Sequence, residues 1–397
     1  MTSKPARPAR SGDADLIVIG GGIYGVMLAF EAGRAGRRAL VLERGRIGDA
    51  TTANWFRILH GGFRYLQSLD IVRTRESAAE RRWFLDFAPD LVQPFPFLMP
   101  LYGDGLKRPS FLRMAFLLES VLTAGRNRGL RPESRIAPGR TLSVEETAAV
   151  YADVRREGLL GAALWQDAVA FDDRALMNRL RHAAETLGAV FEEQTPALDL
   201  QVSGDRVSGV IVGGPRSGPR TAPLVINAAG PWSGEIAERF GAPAPGLFRP
   251  TLAFNLLIDR PPLAATGLAV AGPSPGAPML FLLPLEGRTF AGTWHVEWQA
   301  EDREARVAEA DVDAFLQALA QAAPALGATR RDVLGILPGL QPLATGSRTA
   351  VSDRPLTIDH GRKGGPRGLI SVSGVKYTTA RHIAQQVVAG LPDPADC

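Results

Sequence analysis

His60, Arg64 and Tyr65 crowd around two adjacent glycines in the stretch RILHGGFRYLQ, residues 57–67, of a chain that holds only five histidines. A tight turn carrying a guanidinium and an imidazole is suited to holding a small polar molecule. Such a turn does no chemistry alone. Larger elements must position it and supply whatever accepts the substrate's electrons or protons.

The first of those elements is DLIVIGGGIYGVMLAFEAGRAGRRALVLERG, residues 15–45. Leu16–Ile19 is a continuous apolar run, as a buried parallel strand requires. It leads into Gly20-x-Gly22-x-x-Gly25, then into a helix whose inner face carries Val26, Ala29, Phe30 and Gly33 and which stops at Gly36. A second strand, Ala39–Leu42, ends at Glu43. Gly20 permits the turn, Gly22 lets the backbone approach a pyrophosphate, and Gly25 lets the helix pack on the strand. The helix N-terminus offers N–H groups to phosphates, and Glu43 accepts from ribose hydroxyls. This is a dinucleotide-binding unit, which suits NAD and FAD equally.

Composition narrows the setting. The net charge of +4 fits an anionic ligand, but no basic block is dense enough for nucleic acid. The sole cysteine is Cys397, so disulfides within the chain, thiol catalysis and cysteine-held metal centres are excluded, and a reducing, cytoplasmic location is expected. No metal site is expected. Residues 1–13 lack the apolar core of a secretory signal and read as a flexible tail.

Further along, residues 174–230 hold a helix, a short strand, a hairpin turning at Ser203–Asp205 and the buried strand of PLVINAAGPW. Residues 247–333 are strand-rich, with a turn at Glu286–Gly287 and a helix capped by Asp311. GLISVSG and a helix from about Thr378 to Ala389 close the chain. The expected fold class is α/β: a discontinuous Rossmann-like dinucleotide-binding domain with an inserted β-rich α+β substrate cap. The segments 14–85, 150–243 and 334–392 form the first, and 86–149 and 244–333 the second. FLRMAFLLESVLTA, residues 111–124, with Lys107, Arg108, Arg126 and Arg128 at its ends, reads as a cap helix packed on the core. A place on a membrane surface is the alternative.

The fingerprint, ATT (50–52), HGGFRYL (60–66), DDRALM (172–177), NAAGPW (227–232), GTWHVEW (292–298), GLQPL (339–343) and GVKYTTAR (374–381) occur in one order. Together they resemble the FAD-dependent glycerol-3-phosphate dehydrogenases, within the D-amino-acid-oxidase-like superfamily. The resemblance runs from about Asp15 to Leu391, and that family's C-terminal helical domain is expected to be absent. It implies FAD as cofactor, held by Gly20, Gly22, Ile23, Tyr24, Gly25, Glu43, Arg44, Thr51, Thr52, Arg57, Leu59, His60, Gly61, Ala229, Gly230, Trp232, Gly374, Lys376, Tyr377 and Thr378. It implies that His60, Arg64 and Lys376 are catalytic: Arg64 binds a substrate oxygen, His60 is the natural base for a hydroxyl proton, and Lys376 lies near flavin and substrate. The final helix would aim its N-terminus at the flavin, favouring the anionic reduced form.

On the substrate side the sequence departs from that family. Gln341 stands where GLRPL supplies an arginine to phosphate, His295 replaces an aspartate, and Asn255 stands where a histidine is usual. Arg354 is displaced by one position from the second arginine. Trp294 is expected to add an apolar wall to the substrate pocket. Arg64, His295, Gln341 and Arg354 form the expected substrate set. The function expected is hydride transfer from a small hydroxylated substrate, whether polyol, sugar or hydroxy acid, to flavin N5. The alternatives are glycerol 3-phosphate oxidation itself and, in another class, a non-catalytic FAD-binding subunit. The electron acceptor stays open among oxygen, a quinone and a carrier protein, with peripheral contact at the inner face of a membrane as one possibility.

Overall fold

The computed structural model describes residues 14–63, 65, 69–103, 108–272, 279–299 and 303–392; the tail 1–13, Arg64, Lys107 and Cys397 lie outside them. Leu16–Ile19 and Ala39–Leu42 are largely buried parallel neighbours, with Leu16 opposite Ala39. Val225–Asn227 pairs along the other side of Leu16–Ile19, and Leu369–Ser373 lies beyond it. Val190–Glu192 and the antiparallel Leu356–Asp359 complete a six-stranded sheet.

The helix Ile23–Arg34 is buried on almost every side. It packs against the helices Asp173–Thr186 and Ala380–Ala389 as well as against the sheet. Gly20, where strand turns into helix, has φ +103° and passes so close to the Ala228 carbonyl that a β-carbon there would sit 2.6 Å from the oxygen. Only glycine satisfies both demands. The expected hairpin is present as Ala197–Ser203 and Arg206–Val212, with Ser203 opposite Arg206.

A second, nine-stranded sheet runs in the order Val333–Pro342, Pro250–Ile258, Arg288–Val296, Leu280–Leu285, Gly267–Val270, Val92–Pro100, Ala162–Ala170 and Ile58–Leu59, with Arg140–Leu142 also on Ala162–Ala170. Residues 162–170 and 334–342, grouped by the sequence reading with the FAD-binding segments, hydrogen-bond in this sheet. The helix Glu309–Ala322 packs over one face. Its N-cap is Ala308 and not Asp311. Asp311 lies inside the first turn, where its charge faces the positive end of the helix dipole without serving as a cap.

The short 3-10 segment Ala50–Asn54 joins the two sheets. Thr51 Oγ1 donates to the Leu340 carbonyl (3.1 Å), and Asn54 Nδ2 to that of Pro338 (2.7 Å). Asn255 Nδ2 donates in turn to the Asn54 carbonyl (2.8 Å), and Thr52 Oγ1 accepts the Ile23 N–H (3.0 Å). The segment is thus tied to the cap sheet on one side and to the fingerprint helix on the other.

Candidate active site

At the fingerprint, both carboxylate oxygens of Glu43 accept backbone N–H groups, from Gly21 and from Gly45, each at 2.7 Å. A carboxylate has acceptor sites beyond those two, which leaves capacity for a ribose hydroxyl. The first turn of the helix carries no acidic residue, and a β-carbon at Gly22 would meet only Thr52 Oγ1, at 3.0 Å. Donors, room and the absence of negative charge suit a pyrophosphate. Arg44 stacks its guanidinium on Trp232, 3.8 Å from the ring centre, just past Ala229 and Gly230 at the end of the Val225–Asn227 strand. These residues fit FAD.

Tyr24 reaches from the same helix to the chain's last segment. Its hydroxyl accepts the N–H groups of Val375 (3.0 Å) and Lys376 (3.2 Å) and donates to the Lys376 carbonyl (3.0 Å). Burial raises its pKa, so the donor form persists. Gly374 sits against the Tyr24 ring. Lys376 then places its ammonium over the ring of Tyr65, 4.3 Å from the centroid, and Arg73 lies against the same ring at 4.9 Å. Tyr377 stacks on Trp55 (3.9 Å, 7°), Thr378 is buried, and burial pushes the Tyr377 phenol well above its usual range.

Around His60 the structure supplies a partner that the sequence reading missed. His60 Nδ1 lies 3.0 Å from Asp167 Oδ2, while Asp167 Oδ1 accepts from the Gly61 N–H and from Arg81, both at 2.7 Å. Trp165 Nε1 donates to Oδ2 at 3.2 Å. Burial would raise the Asp167 pKa, but the hydrogen bond and charge of His60, the charge of Arg81 and the Gly61 N–H outweigh it and hold the carboxyl down at about 2. The available signal was an aspartate within the otherwise mostly apolar strand AALWQDAVA.

Other expected residues fall in different places. Arg57 is committed to the start of the Asp173–Thr186 helix, donating to the Phe171 carbonyl (2.7 Å) and pairing with Asp173 (3.0 Å). Leu59 is fully buried opposite Ala168. In the cap sheet, Gln341 is opposite Thr251, and Gly339 and His295 are both opposite Ala253. Directly opposed residues share a face, so Gln341 and His295 lie on the face where Gly339 meets Thr51. Asn255 lies on it too, accepting from Thr293 Oγ1 at 2.9 Å. Trp294 is turned the other way. It stacks on Phe315 of the covering helix (5.3 Å, 13°), because strand residues alternate and its neighbour His295 takes the side shared with Gly339. The expected tryptophan wall is therefore absent from the face that Gln341, His295 and Asn255 share. Arg354 is exposed, and its neighbour Asp353 pairs with Arg73, which brings it to the rim of the Tyr65 turn.

The family model for the FAD dependent oxidoreductases matches residues 15–389. The chain belongs to that family. FAD is accordingly its cofactor, and the elements just described are the ones that would hold it. Among curated relatives, the glycerol-3-phosphate dehydrogenase of Mycobacterium leprae is 28% identical over 383 residues, covering 94% of this chain and 62% of the relative. An alpha-glycerophosphate oxidase of Streptococcus pyogenes is 29% identical over 344 residues, covering 84% and 55%. The chain thus spans roughly three-fifths of the length of these relatives. The fold matches the FAD complex of glycerol-3-phosphate dehydrogenase from Bacillus halodurans, with a TM-score of 0.69, 22% identity and coverage of 95% and 64%. It also matches L-proline dehydrogenase from P. horikoshii, with a TM-score of 0.69, 15% identity and coverage of 96% and 93%.

Proposed function

We propose that the protein is a flavin-dependent dehydrogenase or oxidase that removes hydride from the CH–OH carbon of a small hydroxylated molecule. The observation that carries this reading is the convergence of Lys376 on the ring of Tyr65, in the turn that carries His60, 4.3 Å from the centroid, although more than 300 residues separate Lys376 from Tyr65. Bound FAD supplies the hydride acceptor. Within the protein, His60 receives the hydroxyl proton, Arg64 binds a substrate oxygen, and Lys376 adds positive charge ahead of the helix Ala380–Ala389, whose first turn has no acidic residue.

The names of the relatives suggest a glycerol phosphate. Gln341 argues for a different member of the class. A neutral amide cannot reproduce the bidentate grip of arginine on phosphate, and charge-assisted hydrogen bonds contribute ~1.5–3 kcal/mol each. A less phosphorylated polyol, a sugar or a hydroxy acid fits the face formed by Gln341, His295 and Asn255 better. An anaerobic screen of glycerol 3-phosphate, glycerol, sugars and sugar acids, followed by flavin bleaching, tests this. Efficient bleaching by micromolar glycerol 3-phosphate would refute the substrate reading, and no bleaching by any CH–OH compound would favour a non-catalytic FAD-binding subunit. His60→Asn and Lys376→Ala are expected to slow bleaching with FAD content near normal.

The second part of the proposal is peripheral contact with a bilayer. The helix Pro109–Leu122 buries Leu112 and Phe116 but exposes Phe111, Met114, Leu117, Leu118 and Val121 along one stripe, with Arg108, Arg113 and Arg128 exposed around it. Apolar stripe plus cations complement an anionic lipid surface. No helix among the described residues is long and apolar enough to cross a membrane. Sedimentation with phosphatidylglycerol vesicles is expected to carry the protein down, and Leu117→Glu to release it; equal sedimentation of both would refute the contact.

A further inference from the structure

We propose that Asp167 is a positioning residue: it fixes His60 in the tautomer with hydrogen on Nδ1, so that Nε2 is the atom that takes the substrate's hydroxyl proton. The inference rests on the reading of His60 as the base. Asp167 itself is buried, with a side chain 5% exposed, whereas the His60 side chain is 53% exposed. The imidazole therefore has one edge on a buried carboxylate and the other turned toward the open side.

The chemistry of the donor set decides the tautomer. An ionised carboxylate only accepts hydrogen bonds. Three of the groups on Asp167, the Gly61 N–H, the Arg81 guanidinium and the Trp165 indole N–H, only donate. The fourth, His60 Nδ1, must then carry a hydrogen to sit 3.0 Å from Oδ2. In the neutral ring this leaves the lone pair on Nε2.

With His60 on one oxygen, Arg81 on the other helps to keep the carboxylate charged. Its side chain is 4% exposed, it pairs with Asp167 at 2.7 Å, and it is itself fixed by the Gln166 carbonyl at 3.0 Å. A buried carboxylate without such a partner would take up a proton and lose its hold on the ring. The arrangement also explains one glycine of the HGG turn. A side chain at residue 61 would run into the Arg81 guanidinium. His60, Gly61, Arg81 and Trp165 thus form one assembly around Asp167, drawn from the turn, from the helix Ile71–Phe87 and from the strand Ala162–Ala170.

The proton step balances within these residues. The substrate O–H bond breaks, an N–H bond forms at Nε2, and the positive charge on the imidazolium is compensated by the Asp167 carboxylate. The two electrons leave with the carbon's hydrogen as hydride, to the oxidised flavin of the family's chemistry. Among the described residues, the imidazole meets Asp167 directly, Arg81 through it, and from the strand Leu280–Leu285 the uncharged ring of Phe281 at 5.8 Å. From the last segment, the Lys376 ammonium lies over the ring of Tyr65 in the same turn. Asp167 supplies the negative charge in direct contact with the ring, so its loss weakens the base.

The test uses the FAD-loaded protein labelled with 15N-histidine. Five histidines give a tractable spectrum, and His60→Asn identifies the His60 signals. The expected result, read at a pH where the ring is neutral, is hydrogen on Nδ1 of His60, changing to a tautomer mixture in Asp167→Asn. Flavin reduction by glycerol 3-phosphate, slow as it is expected to be, is followed against pH in the same proteins. In Asp167→Asn the rate is expected to fall roughly 10²–10⁴-fold, with its rising limb moved about one pH unit lower. Asp167→Glu is expected to recover part of both. A merely structural aspartate would leave tautomer and limb unchanged. If Asp167→Asn fails to fold, the parent spectrum still decides, since hydrogen mainly on Nε2 overturns the proposal. So does an unchanged tautomer and limb in a folded Asp167→Asn protein. If instead the Nδ1–H form is found but His60→Asn reduces flavin at the parental rate, the base assignment itself is wrong and the proposal falls with it.

Discussion

The fingerprint side and the His60 side of the site are held by different means. At the fingerprint, Glu43 and Thr52 each bind backbone N–H groups of residues no more than 29 positions away. Around His60, three of the four donors on Asp167 come from 86, 106 and 107 positions away, and two of those three are side chains of separate elements. A cofactor shared by a whole family needs a fixed main-chain cradle, which local spacing can build. The base role proposed for His60 needs a tuned electrostatic environment, which side chains from distant elements help to supply.

The largest expected effect breaks the cradle. Gly22→Val should abolish flavin binding, because the γ-carbons would fill the space beside Thr52 Oγ1 that the pyrophosphate needs; the purified variant should be colourless. Next is Tyr24→Phe, which leaves the Val375 and Lys376 N–H groups without their acceptor. It should cost about 2 kcal/mol in denaturant unfolding and slow flavin reduction more than it lowers FAD content.

Acid should act on the other side. The folded pKa of Asp167 is depressed from 3.8 to about 2. Its contribution, roughly 2 kcal/mol by linkage, is therefore complete above about pH 4 and is lost as pH falls through the folded value. Stability measured from about pH 5 down to about pH 2 should fall less steeply in Asp167→Asn. The smallest effect is Thr52→Ala, which removes the acceptor for the Ile23 N–H and should cost ~1 kcal/mol, as loss of a helix cap does.

The same contrast explains what was legible in the sequence. The strand, glycines and helix of residues 16–42 follow from apolar runs and turn chemistry, and so do the two hairpins. Trp294 was misjudged because both faces of its strand are covered, one by the helix carrying Phe315 and one by the site, so alternation alone does not say which is which. Asp167 was missed because its meaning comes from Arg81 and His60, brought to it by pairing of the strands Ile58–Leu59 and Ala162–Ala170 and by the helix Ile71–Phe87. No local pattern reports such a meeting.

The tied segment Ala50–Asn54 has a mechanical consequence. Five residues anchor by Thr51 and Asn54 to one sheet and by Thr52 to the helix rising from the other. A hinge needs a stretch of chain whose dihedrals can swing freely, and this rivet denies that freedom at the point where the two sheets meet. Cleft opening by rotation of one sheet against the other would have to break this bridge, at the Ile23–Thr52 hydrogen bond on one side or at the three that hold the segment to the cap sheet on the other. Substrate traffic should therefore depend on rim side chains, and heat should melt both sheets in a single transition.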